Sequence, residues 1–164
     1  MPFTPFHLGP AALIKALAGP RFSFMIFGGS QVLMDLEPFV RINRGDAVLH
    51  GYSHTLGGAL IIGGIAAVIG RPITSLVLRF ARADRSTLTW RRVLLSAYIG
   101  TYSHILLDGI MHADMRPLWP FTTDNPLLEV VIVTSLHMFC VVTAVVGGTI
   151  MLVRGYGPSK GDTA

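Results

Sequence analysis

Long apolar runs separated by short polar interruptions dominate the chain. One run covers about residues 8–17 and ends at Gly19-Pro20, and a second begins at Phe22 and stops at Asp35-Leu36-Glu37-Pro38. Crossing ~30 Å of hydrocarbon takes about 20 residues. Each run is too short alone, so the pair predicts a tight helical hairpin or two tilted short spans. The run over residues 50–70 reaches spanning length and closes at Arg71-Pro72. Residues 73–80 are expected to lie at the interface or to extend that helix past a kink at Pro72. A fourth helix is predicted over residues 93–111. After a loop with Pro117, Pro120 and Pro126, a fifth covers residues 127–153.

The predicted fold class is all-α: a polytopic membrane bundle of four to five apolar helices with a short or re-entrant N-terminal hairpin. Residues 1–154 form one transmembrane domain, and the Gly- and Pro-rich stretch 155–164 reads as a disordered tail. The third run is rich in small residues (Gly57, Gly58, Ala59, Gly63, Gly64, Ala66, Ala67), which let helices approach closely in lipid and would suit oligomerisation.

Composition strengthens the membrane reading. Of 164 residues, 51% are hydrophobic and only 13% charged, against about 25% charged in soluble domains; mean hydropathy is +0.58. The net charge of +4 does not signal nucleic acid. The arginines sit between apolar segments and form no stripe interleaved with aromatics. Cys140 is the single cysteine, so no intrachain disulfide forms. The first twenty residues lack a basic segment ahead of an apolar one, so no cleaved signal peptide is read.

Orientation follows from the positive-inside rule. Arg79, Arg82, Arg85, Arg91 and Arg92 crowd one loop, which should face the cytoplasm. Tracing the helices from there puts Lys15, Arg21, Arg154 and Lys160 on the same side. Arg41, Arg44 and Arg116 remain opposite.

The same trace gathers the titratable residues at the non-cytoplasmic end. His7 precedes the first helix, Asp35 and Glu37 end the second, His50 and His54 open the third, and Asp108, His112 and Asp114 close the fourth. His50 and His54, four apart, are expected to project from one helix face toward a common ion. His104, Asp108 and His112 repeat that step. A carboxylate inside an apolar helix costs roughly 2.5–3.5 kcal/mol on insertion scales, and a divalent cation beside Asp108 would offset it. On the last helix, Glu129 and His137 share roughly one face and are candidates to line the cavity. Ligands without thiolate point to zinc first, with manganese or iron as alternatives. Their number allows one ion or two. His50-Gly51-Tyr52-Ser53-His54 lacks the glutamate of the His-Glu-x-x-His zinc-protease helix, so that mechanism is rejected.

These residues, in order, resemble the YdjM-like family. The resemblance rests on His7, Asp35-Leu36-Glu37-Pro38, His50-Gly51-Tyr52-Ser53-His54-Thr55, Tyr102-Ser103-His104-Ile105-Leu106-Leu107-Asp108 and Pro117-Leu118-Trp119-Pro120-Phe121. Its members are described as inner-membrane metal-dependent hydrolases, sometimes as LexA-binding. The resemblance implies a multi-spanning helical protein with a hydrolytic metal site around His7, Asp35, His50, His54, His104 and Asp108, with Glu129 a weaker match. The family usually has aspartate where Glu37 stands and arginine where Gly51 stands. The second departure removes a cation that could clamp an anionic substrate.

The expectation is therefore an inner-membrane, multi-pass hydrolase. His7, Asp35, His50, His54, His104, Asp108 and His112 would be the metal ligands, and Asp35 or Glu37 general base and then proton donor. Its substrate would be an ester, phosphoester or amide near the non-cytoplasmic face, with a lipid or lipid-linked molecule favoured by depth. Two alternatives stand beside it: a non-catalytic metal-binding or ion-handling protein, and a structural membrane protein whose polar cluster glues helices together.

Overall fold

The computed structural model describes residues 4–82 and 88–155. Asp84, Arg85, Lys160, Asp162 and all of the expected tail beyond Gly155 lie outside the described residues. The helices in chain order are α1 (Thr4–Ala18), α2 (Phe24–Arg44), α3 (Leu56–Phe80), α4 (Trp90–Met111) and α5 (Val133–Val153). Short 3₁₀ turns occupy Gly19–Arg21 and Tyr52–His54. Among the described residues there is no strand.

Local chemistry explains most helix starts. Ser23, Thr55 and Thr89 stand at the N-caps of α2, α3 and α4, where each hydroxyl accepts a backbone N–H of the first turn. Among the described residues three helices are long and apolar enough to cross a membrane: α3, α4 and α5. Of their apolar windows, 61% is buried in α4 against 22% in each of the others. The central helix is thus α4. The outward faces of α3 and α5 carry exposed Ile61, Val68, Val142 and Val145, as lipid contact requires. α1 packs chiefly on α5, while α2 packs on α3 and α4. At the α2–α4 crossing a Cβ on Gly100 would overlap Ser30 Oγ and crowd Phe27 O at 3.2 Å, so glycine suits this close approach.

Four boundaries differ from the sequence expectation. His7 lies inside α1 rather than ahead of it. α2 does not stop at Asp35–Pro38 but continues to Arg44, ending on Gly45 in the left-handed region at φ 74°. Pro38 forfeits one backbone bond, and the Glu37–Arg41 ion pair at 2.8 Å links the turns around it. α3 begins only at Leu56 and runs through Pro72 to Phe80, so His50 and His54 precede the helix and share no helical face. α5 begins at Val133. Asn125 turns the chain by accepting from Leu127 N, and Glu129 sits at φ 56°, which no continuing helix permits.

The two ends of the bundle differ in chemistry. Around the α1–α2 turn, Lys15 donates to the carbonyls of Gly19 and Phe22, Arg92 also donates to Phe22 O, and Arg154 donates to Ala16 O. At the other end come the second half of α2, the loop before α3 and the end of α4. Among the described residues, every Asp, Glu and His lies toward that second end.

Candidate metal centre

Four elements meet around Asp108. It lies in the last turns of α4, fully buried, with His104 one turn below it. α1 brings His7 Nε2 to 3.1 Å from Asp108 Oδ1. The 3₁₀ turn brings His54 Nε2 to 3.7 Å from Asp108 Oδ2, and His104 Nε2 lies 3.1 Å from the same oxygen. α2 contributes Asp35, whose Oδ1 is 3.3 Å from His104 Nε2. His54 and His104 Nε2 are 3.2 Å apart. On the other side of the carboxylate, His50 and His112 stack with ring centroids 4.3 Å apart.

Each of the four central histidines has its Nδ1 facing an acceptor. Gln31 Oε1 accepts from His104 Nδ1 at 2.7 Å and from His7 Nδ1 at 3.1 Å. Its orientation is fixed because Gln31 Nε2 donates to Gly100 O at 2.8 Å. Asp114 Oδ1 accepts from His50 Nδ1 at 2.8 Å. Ser53 Oγ donates to Glu37 Oε2 and so accepts from His54 Nδ1 at 2.8 Å. With the Nδ1 proton held outward in every ring, the lone pairs of four Nε2 atoms point inward.

The inner atoms then face one another without hydrogen. Among the described residues, His7 Nε2, His50 Nε2, His112 Nε2 and both oxygens of Asp108 are buried and find no hydrogen-bond partner. Each such group costs roughly 1–3 kcal/mol, more when charged. Cations held among these atoms would offset the penalties. The spacing also fits: tetrahedral donors ~2.1 Å from a shared ion are ~3.4 Å apart, and the inner separations run from 3.1 to 3.7 Å. Among the described residues two groups could hold an ion: Asp35, His54, His104 and Asp108; and His50, Asp108 and His112. Asp108 belongs to both. The donor set is imidazole and carboxylate, suited to zinc, manganese or iron.

Electrostatics outside the spans agree. Burial pushes the His54 imidazole below the ordinary histidine value, only partly opposed by Asp108. Burial likewise lowers His112. Both are therefore neutral near pH 7 and able to ligate. Burial would raise Asp114, but bonds from the backbone and ring of His50 and from Leu49 N outweigh it and hold it at about 2.

The remaining candidates fall elsewhere. Glu37 points away from the inner space, bonding Arg41 through Oε1 and Ser53 through Oε2. Glu129 is exposed in the loop before α5, and it shares no helix face with His137. His137 stacks on Phe6, with centroids 4.6 Å apart, and belongs to neither ligand group. Sequence reasoning missed Gln31 and Ser53. Gln31 was legible as the lone amide in the apolar run before Asp35. Ser53 had no comparable signal, since its role depends on Glu37 reaching back across sixteen residues. Against Gly51, where loss of a cation was expected, the structure packs the Arg41 guanidinium: a Cβ there would overlap Glu37 Oε1 and crowd Arg41 Nη2.

Comparison with curated proteins and with solved structures gave no match. Residues 14–160, nearly the whole chain, match the family described as YdjM inner membrane protein. With three helices able to cross a bilayer, a lipid-facing exterior and a buried histidine–aspartate cluster, the chain belongs to the YdjM inner membrane protein family.

Proposed function

We propose that this protein is a membrane-embedded metal-dependent hydrolase acting on an ester, phosphoester or amide at the non-cytoplasmic face. The observation that carries the reading is the inward convergence of His7, His50, His54 and His104 Nε2 on the buried carboxylate of Asp108. Ligands of the first ion would be Asp35, His54, His104 and Asp108, with the His7 Nε2 lone pair beside them; His50 and His112 would share Asp108 with a second. A bound divalent cation supplies a water whose pKa falls toward ~7, together with charge to stabilise a developing oxyanion.

The chain's own residues do the rest. Asp35 is 14% exposed while His54, His104 and Asp108 are fully buried, so it is the member of its group that solvent and substrate reach. It is placed to take a proton from an attacking water and return it to the leaving group. Glu37 acts through Ser53, holding His54 in the tautomer that ligates; it is a positioning residue and not the base. An ion path would need polar groups at both ends. Among the described residues the charged groups at the opposite end are all Lys and Arg, which favours a one-sided reaction centre over conduction.

The test is hydrolysis by detergent-purified protein of chromogenic carboxylic ester, phosphoester and anilide substrates. Zinc- or manganese-loaded wild type is expected to turn over at least one class. Chelation or His104→Ala should remove that activity. Metal-bound protein inert toward all three would move the chain to the non-catalytic alternative.

A further inference from the structure

A cavity of about 210 Å³ opens beside the metal centre, lined by Arg41, His50, Tyr52, Thr55, Arg116 and Trp119 among others. Drug-sized ligands occupy ~300–1,000 Å³, so this space suits a headgroup and not a whole lipid. Its floor is His50, whose Nε2 is one of the unpartnered inner atoms. Its walls carry two guanidinium groups. Arg41 is held in place by Glu37 and by Val48 O, at 3.2 Å from its Nη1. Its charge is therefore largely balanced from behind. Among the described residues no hydrogen bond or ion pair engages the Arg116 side chain, and it brings its charge to the wall.

The rim has a different character. Tyr52 and Trp119 meet edge to face at 5.0 Å, both exposed, and Phe121 beyond them is 93% exposed. Such amphipathic rings settle at headgroup depth. Arginine forks match phosphate oxygens in geometry as well as charge. A positively charged pocket under an aromatic rim, floored by a metal-ligand candidate, fits a phosphate at a membrane surface.

From this we infer that the cavity binds the phosphate group of a phosphoester, with Arg116 as principal clamp, Arg41 as fixed second donor, and the reacting bond presented toward His50. The inference rests on the hydrolase reading and narrows its substrate to the phosphate-bearing class. A phospholipid headgroup and a free phosphate share this chemistry.

The test uses the native reporter. The chain has two tryptophans. Trp90 lies against Arg71 at the other end, so Trp90→Phe leaves Trp119 as the sole emitter. Detergent-purified protein is titrated with inorganic phosphate, with dihexanoyl phosphatidic acid and with dihexanoylglycerol, and metal content is measured on the same samples. The expected result is a saturable change with a phosphate-bearing probe and none with dihexanoylglycerol. Arg116→Gln should weaken it about tenfold or more, Arg116→Lys less, with metal content unchanged. A response to phosphatidic acid alone identifies a membrane-borne source; an equal response to inorganic phosphate identifies a free one. No saturable response, an equal response to dihexanoylglycerol, or indifference to Arg116→Gln in metal-loaded protein would overturn the phosphate pocket and leave the metal centre standing. Arg116-dependent binding by protein that takes up no metal would instead retain the pocket and sink the hydrolase.

Discussion

Gln31 Oε1 accepts from His104 Nδ1 at 2.7 Å. The same oxygen accepts from His7, so one residue of α2 sets the tautomer of two histidines on two other helices. The glutamine is itself tied to Gly100 O on α4, leaving its oxygen no other orientation.

Gln31→Leu is therefore expected to weaken zinc binding about 10- to 100-fold, the usual cost of removing a partner behind the ligands. Competition against a chromogenic chelator measures it, with helical circular dichroism confirming the fold. Unchanged affinity would mean that the histidines are oriented by packing alone.

The Glu37–Ser53–His54 chain makes a different kind of prediction. Ser53→Ala and Glu37→Ala should each lower metal affinity by roughly tenfold. Because both act through His54 Nδ1, the double variant should lose little more than the worse single one. Full additivity would show that Glu37 acts by another route, such as proton transfer.

His137→Ala and Glu129→Gln should leave metal content at the wild-type level, since neither residue reaches the ligand groups. His137→Ala should still lower thermal stability by about 1 kcal/mol through loss of the stack on Phe6. Loss of metal in either variant would redraw the boundary of the site.

Metal retention should fall with acidification. Ligating imidazoles must be neutral, so protons compete with the ion below the ordinary histidine pKa of ~6.5. The stabilisation of loaded over metal-free protein should be full at pH 8 and largely gone by about pH 5, as read from paired thermal melts. A difference independent of pH would place the ion on carboxylates alone.

Much of this was legible in the chain. Apolar length located α3, α4 and α5, and helix alternation from the arginine loop put His7, Asp35, His54 and Asp108 at one end. What periodicity could not supply was the local backbone. Pro38 looked like a stop, yet α2 absorbs it and thereby carries Glu37 to Ser53 and Arg41 to Gly51. His50 and His54 had helical spacing but occupy a loop and a 3₁₀ turn, and they fall in separate ligand groups that share Asp108. Glu129 had helical spacing to His137, yet its left-handed backbone places it ahead of α5. In each case a side-chain bond or backbone sign distant from the apolar pattern decided the outcome.

The most direct test of the shared-cation account is elemental analysis of wild-type protein purified without chelator and reloaded with zinc or manganese, beside Asp108→Asn. The account predicts one to two ions per chain in the wild type and less than half of that in the variant, with helical content preserved in both. A folded wild type that holds no stoichiometric metal after reloading would contradict it.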